Sequence, residues 1–268
     1  MIWALCDLWR ACGFEIKVLR GLAAHCDADL LIPHIDLTLL PAAYVALYDR
    51  YPRVVNRHLH DISKRVISRN LLAPTDNYAG EVIVKTNLNF GGNPEARMLA
   101  GPKTLRRRLA DAFFPRKPSS SRDCDWSSVK HFNGSDYQIF SSLDKVPAGV
   151  FANDALVVER FLPEREDGLY HLRCYIFFGD QGYCSRVSAR EPIVKGGNAI
   201  RREIVKPPAE LLAIRRELQV DYGKLDFVLR DGRVVLLDLN RTPGTIKSPS
   251  HLKAAAGNLA PGINSFFG

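Results

Sequence analysis

KLDFVLRDGRVVLLDLNRTPG, residues 224–244, sets two apolar runs on either side of Asp231-Gly232, places an aspartate in each, and follows the second aspartate with an asparagine two residues later. Asp-Gly between apolar runs is a strong short-range hairpin signal. Two registers are open. A two-residue loop of Asp231 and Gly232 pairs position 226 with 237 and leaves Asp238 on the opposite face. A three-residue loop ending with Gly232 in the left-handed conformation shifts the register by one, so that Asp226, Asp238 and Asn240 share a face. The second register explains more, because an anionic oxygen in a half-buried apolar strand is costly unless a cation or donor compensates it. Magnesium would do so, since it takes hard oxygen ligands and usually sits between one or two carboxylates and substrate phosphates. The competing reading pairs each aspartate with Lys224, Arg230 or Arg241 at a strand edge.

Three segments upstream point the same way. EVIVKT (81–86) is a short apolar strand ending in Lys85, followed by NLNFGGNPEAR with Gly91 and Gly92. An ammonium at that point would meet phosphate while loop amides cradle the rest. VVERFLPE (157–164) runs from an apolar strand into a proline, a hinge whose backbone groups could read a planar base while Glu159 or Glu164 accepts from its amino group or from ribose hydroxyls. Arg173, in YHLRCY, sets a planar bidentate donor within a strand, suited to phosphate oxygens; a core salt bridge is the alternative.

The 268 residues exceed the usual size of one domain, so two or three packed subdomains are expected. With 46% apolar and 25% charged residues and no long uncharged apolar run, the composition is that of a globular protein without a membrane span. The apolar start is broken by Asp7 and Arg10 and lacks the charged region of a signal peptide, which places the chain in the cytoplasm. Six cysteines show no zinc spacing and read as reduced and mostly buried. The formal charge is +8, and residues 101–122 hold seven basic residues against one acidic. That cluster suits a polyanionic ligand or a solvated helix face.

Periodicity predicts a helix at 2–12, strands at 14–19 and 28–35, and helices at 40–49 and 61–72. Strands follow at 81–86, 137–140 and 155–162, then a hairpin of 170–180 with 183–190 around GDQG, and a helix at 208–220. Trp3, Trp9 and Trp126 read as packing residues, and His34, His58 and His60 as core or surface groups without a metal. The amino-terminal α/β unit opens on a helix, so either its first strand is absent or the true start lies upstream.

Read in order, these segments resemble the ATP-grasp superfamily, and most closely its carboxylate-amine ligases of the RimK and glutathione synthetase type. The resemblance spans roughly residues 55–245, and Asp-x-Asn-x-x-Pro-Gly (238–244) is its most specific part. It implies an α+β or α/β chain with an ATP-grasp fold, two α+β subdomains clasping ATP behind a small pre-ATP-grasp α/β domain. The expected division is 1–70 for that first domain, 71–156 for the small subdomain and 157–268 for the large one with the metal-binding hairpin. By the same resemblance Lys85 would contact ATP phosphates, and Lys64 resembles the nucleotide-binding lysine that precedes the ATP-grasp domain in several members. Glu159, Arg160, Phe161 and Leu162 would hold adenine through backbone groups, and Glu164 is a candidate for the ribose. Asp226, Asp238 and Asn240 would bind Mg2+, with Mn2+ as a substitute. Arg173, Arg186, Lys195 and Asn198 match the region facing the transferred phosphoryl group. Asp238 stands where glutamate is commoner, and the loop after Lys85 has fewer glycines than many relatives carry.

The implied reaction is an ATP-dependent ligation: a substrate carboxylate is activated as an acyl phosphate, and an amine displaces phosphate to form an amide-type bond. The implied partners are small-molecule or peptide carboxylates and amines, with no membrane; a homodimer is allowed. The alternatives are an ATP-grasp kinase acting on a small molecule, or a non-catalytic module that binds nucleotide or nucleic acid. No RNA-binding aromatic signature supports nucleic acid.

Overall fold

The computed structural model describes residues 1–22, 26–100, 125–131, 137–244 and 248–268. The basic stretch 101–122 and Cys124 lie outside the described residues. The chain forms two compact units, one of residues 1–62 with 162–268 and the other of 63–161. The limits of these units fall after Ile62 and Phe161, the latter inside the VVERFLPE segment read as a hinge.

In the second unit, β1 (Val82–Thr86) lies between β2 (Gln138–Phe140) and β3 (Leu156–Arg160) in an antiparallel sheet. One face of that sheet puts Val82, Val84, Leu156 and Val158 into a core with Leu72, Trp126, Leu143, Val146 and Val150. Val150 comes from α5 (Ala148–Phe151). The helix predicted at 61–72 shrinks to α3 (Lys64–Ile67), because the chain beyond it extends along β3. There the Leu72 amide donates to Val158 O and the Arg160 amide to Asn70 O, both at 2.9 Å. After β1, residues Asn89–Gly92 form a 3-10 turn with left-handed backbone at Phe90, Gly91 and Gly92, and α4 (Asn93–Ala100) follows.

The first unit is built on an antiparallel sheet in the order β7-β6-β5-β8-β9, formed by β5 (Leu169–Phe178), β6 (Gln181–Ala189), β7 (Arg201–Val205), β8 (Tyr222–Arg230) and β9 (Arg233–Asn240). A short β4 (Glu164–Glu166) pairs with the start of β5. The helix predicted at 208–220 appears as α6 (Ala209–Glu217), opened by Pro208. It buries Leu211 and Ile214, and its Arg215 guanidinium lies 3.9 Å from the Phe177 ring centre. At one end of the sheet, α1 (Ile2–Ala11) and α7 (Pro249–Leu259) pack Leu5, Trp9, Ala256 and Leu259 against Phe178 and Tyr222. The Trp9 indole N–H donates to Ala260 O at 2.9 Å. Asn56 ties residues 1–62 into this unit: its side chain accepts from the Asp221 and Tyr222 amides and donates to Tyr222 O.

Several expectations for the amino-terminal region are corrected. Residues 14–19 form no strand; Phe14 and Ile16 pack against the helical core, with no neighbouring strand to pair. Of 28–35 only Leu31 makes a bridge, to Val54. The helix at 40–49 is α2 (Ala42–Val45), capped by Pro41, and then a 3-10 turn at Tyr48–Arg50. Trp9 and Trp126 are buried but Trp3 is exposed. Among the described cysteines, all are free, Cys6 and Cys184 are buried, and Cys12 is exposed. No described helix is long and apolar enough to cross a membrane.

Candidate functional site

The hairpin of β8 and β9 combines the two registers open in the sequence. Arg230 pairs with Arg233, so the loop is the two-residue one, and Asp231 and Gly232 both have positive φ, at 51° and 75°. These are the angles a type I′ turn requires. Pairing continues to Phe227 with Leu236 and then shifts, so that Asp226 meets Asp238 and Lys224 meets Asn240. The extra residue in β9 is Leu237. A β-bulge inserts one residue and restores a different facing beyond it. Asp226, Asp238 and Asn240 therefore share a face, as expected, but through a bulge and not through a longer loop.

All three are half-buried. Asp226 Oδ2 lies 2.6 Å from Lys224 Nζ, while Asp226 Oδ1 is buried with no hydrogen-bond partner. Burial alone would lower the Lys224 pKa, but Asp226, Cys174 and Asp238 together raise it above its ordinary value, so the ammonium stays charged. Burial and then the Asp226 charge push the Cys174 thiol well above its usual range. The Leu239 amide donates to Asp238 Oδ1 at 3.0 Å, and the Thr242 amide to Asn240 Oδ1 at 2.8 Å. Thr242 Oγ1 donates in turn to Asp36.

An unpaired buried carboxylate oxygen beside further hard oxygen donors fits a divalent cation. Among the described residues no three His, Cys, Asp or Glu side chains cluster as a metal cage. The carboxylate pair would therefore need outside donors such as phosphate oxygens, which is how magnesium is commonly held.

In the second unit, Lys85 Nζ lies 2.6 Å from Glu159 Oε2, with both side chains nearly enclosed, and Glu159 Oε1 is buried without a partner. The register sets Glu159 opposite Ile83 and Lys85 opposite Val157, which puts both charges on one face. Lys64 is buried at the start of α3, its amide donating to Asn87 O. The Arg160 and Phe161 amides, expected to be open to adenine, already donate to Asn70 O and Glu81 O. Arg160 extends over the Tyr78 ring, 5.3 Å from its centre.

Solved structures with some likeness to this chain were found, whereas no protein-family model and no curated protein matches it. D-alanine–D-alanine ligase from Bacillus anthracis shares 14% identity at a TM-score of 0.42, over 98% of this chain and 82% of that one. The same ligase complexed with ATP shares 20% at a TM-score of 0.30, over 49% and 46%. The ATP-grasp ligase PsnB complexed with precursor peptide PsnA2 and AMPPNP shares 15% at 0.33, over 51% and 44%. In the last two matches this chain spans less than half of the solved chain's length. At such identities the chemistry has to come from this chain's own residues.

The first unit separates residues that the sequence grouped. Cys174 pairs with Asp226 across β5 and β8, and Arg173 pairs with Phe227. Side chains alternate faces along a strand. Arg173 and its cross-strand neighbour Arg186 therefore lie on the sheet face opposite the carboxylates. Arg173 is held by Glu164, Nε and Nη2 donating to the carboxylate at 2.7–3.0 Å. Arg186 is held by Glu203 and by Glu166, and these contacts raise its pKa. Lys195 and Asn198 sit in the loop before β7, where Asn198 Oδ1 accepts from the Lys195 amide at 2.7 Å and its Nδ2 donates to Ile193 O.

On the carboxylate face the sequence missed Arg202, whose guanidinium donates to Ser185 Oγ at 3.0 Å. Ser185 pairs with Cys174, in the same cross-sheet row as Asp226. Lys224 was named only as a possible ion-pair partner; its place two residues before Asp226 was the signal that it shares the face.

Proposed function

We propose that this chain is an ATP- and magnesium-dependent ligase of the ATP-grasp type, activating a substrate carboxylate as an acyl phosphate for attack by an amine. The observation that carries the reading is the bulged pairing of Asp226 with Asp238, which aligns two carboxylates and Asn240 and leaves Asp226 Oδ1 buried and unpaired. Bound magnesium would neutralise phosphate charge as the phosphoryl group moves. Asp226, Asp238 and Asn240 would hold it, and Lys224 fixes one oxygen of Asp226 and so orients the other. Lys85, steadied by Glu159, supplies an ammonium for nucleotide phosphate. Arg202 and Lys224 are cations on the carboxylate face of the sheet, in or next to the row of Asp226. Arg173 and Arg186 are assigned to holding strands rather than to the phosphoryl group.

Thermal unfolding with and without magnesium plus ATP or ADP tests this. Ligand at about a hundred times its Kd stabilises by roughly 2.7 kcal/mol, a shift of a few degrees. The wild type should shift and Asp238→Asn should not. ADP release dependent on both a carboxylate and an amine would then establish ligation, and a phosphorylated product without an amine would make the enzyme a kinase. No shift at millimolar nucleotide would end the catalytic reading.

A further inference from the structure

We infer that Glu164 is a positioning residue that fixes the bulge pairing Asp226 with Asp238. The inference rests on the metal reading above and adds to it a residue on the opposite sheet face. The pairing of β5 with β8 ends at Arg173 and Phe227. Beyond that point the same edge of β5 is taken by β4, whose Glu164 pairs with His171. The β8 backbone past Phe227 therefore runs on without β5 beside it, and the Leu229 amide has no strand carbonyl from β5 to meet. Glu164 Oε2 fills that place, accepting from the Leu229 amide at 2.8 Å. The same carboxylate grips Arg173 through three donor contacts, with side-chain exposures of 13% for Arg173 and 10% for Glu164.

One largely enclosed carboxylate thus joins β4, β5 and β8 where the β8–β9 register shifts. On one side of the bulge, β5 holds Asp226 through Cys174; on the other, Glu164 holds Leu229. Released at Leu229, β8 can slide into the unbulged pairing that the two-residue turn alone would dictate, Asp226 opposite Leu237. Asp238 would then point to the face of Arg173, away from Asp226. A buried carboxylate making charge-assisted bonds to a backbone amide and a guanidinium is a strong fixture for such a joint.

The test is Mn2+ binding, followed by electron paramagnetic resonance in the presence of ADP, on folded wild type, Glu164→Ala, Glu164→Gln and Asp238→Asn. Hydrogen exchange at the Leu229 amide is followed in parallel. Glu164→Ala should weaken Mn2+ tenfold or more and speed Leu229 exchange, whereas Asp238→Asn should weaken Mn2+ and leave Leu229 exchange as in the wild type. Glu164→Gln, which keeps an oxygen for Leu229, should recover most of the Mn2+ affinity. Wild-type Mn2+ affinity in Glu164→Ala, or equal loss in Glu164→Gln and Glu164→Ala, would overturn the positioning role while leaving the metal site intact. A wild type that binds no Mn2+ would remove the metal reading, and this inference with it.

Discussion

Lys85 and Glu159 form an ion pair at 2.6 Å whose carboxylate keeps one oxygen, Oε1, buried and unbonded. Removing one member of a buried pair leaves an uncompensated charge and costs about 3–5 kcal/mol. Lys85→Ala should therefore lower Tm as well as abolish the nucleotide shift, and the two effects need separating. The double variant Lys85→Met with Glu159→Gln should regain most of the stability in a urea titration and still show no shift with ATP.

Glu164 also sets an acid limit. Burial raises its pKa, but the Arg173 guanidinium and the Leu229 amide outweigh burial and hold it below the ordinary 4.5. A group whose pKa is depressed on folding contributes stability that is fully present above its unfolded value and lost as pH falls through the folded one. Wild type should lose stability from pH 4.5 downward, and Glu164→Gln should lack that component of the slope. Parallel slopes in acid titrations monitored by circular dichroism would contradict this.

Two glycines should differ sharply in tolerance. Gly232 has φ +75° with open space where a methyl would stand, so Gly232→Ala carries only backbone strain, about 1 kcal/mol. A Cβ on Gly262 would overlap the Phe178 carbonyl oxygen, a backbone atom fixed in the sheet. Gly262→Ala should lower Tm far more than Gly232→Ala; equal losses would mean that the 3-10 segment Ala260–Phe266, which holds Gly262, yields freely.

Thiol reactivity should be ordered by exposure. Cys12 is exposed, burial pushes Cys184 up to about 11, and burial together with Asp226 pushes Cys174 well above its usual range. Since the thiolate is the reactive form, limited alkylation at pH 8 followed by peptide mass mapping should label Cys12 well before Cys174 or Cys184.

The strands at 81–86, 137–140, 155–162, 170–180 and 183–190 and the hairpin of 224–240 were legible because apolar alternation and Asp-Gly chemistry are local signals, whereas β4 and β7 went unread. Leu237 carries no mark of being an extra residue; its role depends on β5 pairing with β8 and then giving way to β4. The same non-local register turned Arg173 and Arg186 away from Asp226, since a one-residue phase difference between strands cannot be read from either strand alone. Residues 14–19 have strand-like composition, but a strand needs a backbone partner, and here Phe14 and Ile16 only pack their side chains against the core formed by α1, α7, Phe178 and Tyr222. The backbone amides of Arg160 and Phe161 likewise found partners at Asn70 and Glu81, both distant in sequence.

Because Leu237 is the residue that the bulge absorbs, the facing of Asp226 and Asp238 can be reached by two different ladders. Substituting Leu237 with another apolar side chain keeps the bulged ladder; deleting it leaves nothing to bulge, and a regular ladder running from the two-residue turn then sets Asp238 opposite Asp226 by itself. A chain one residue shorter at this point would therefore keep its two carboxylates aligned with no bulge to hold, which makes the bulge a replaceable route to the candidate cation site and not its condition.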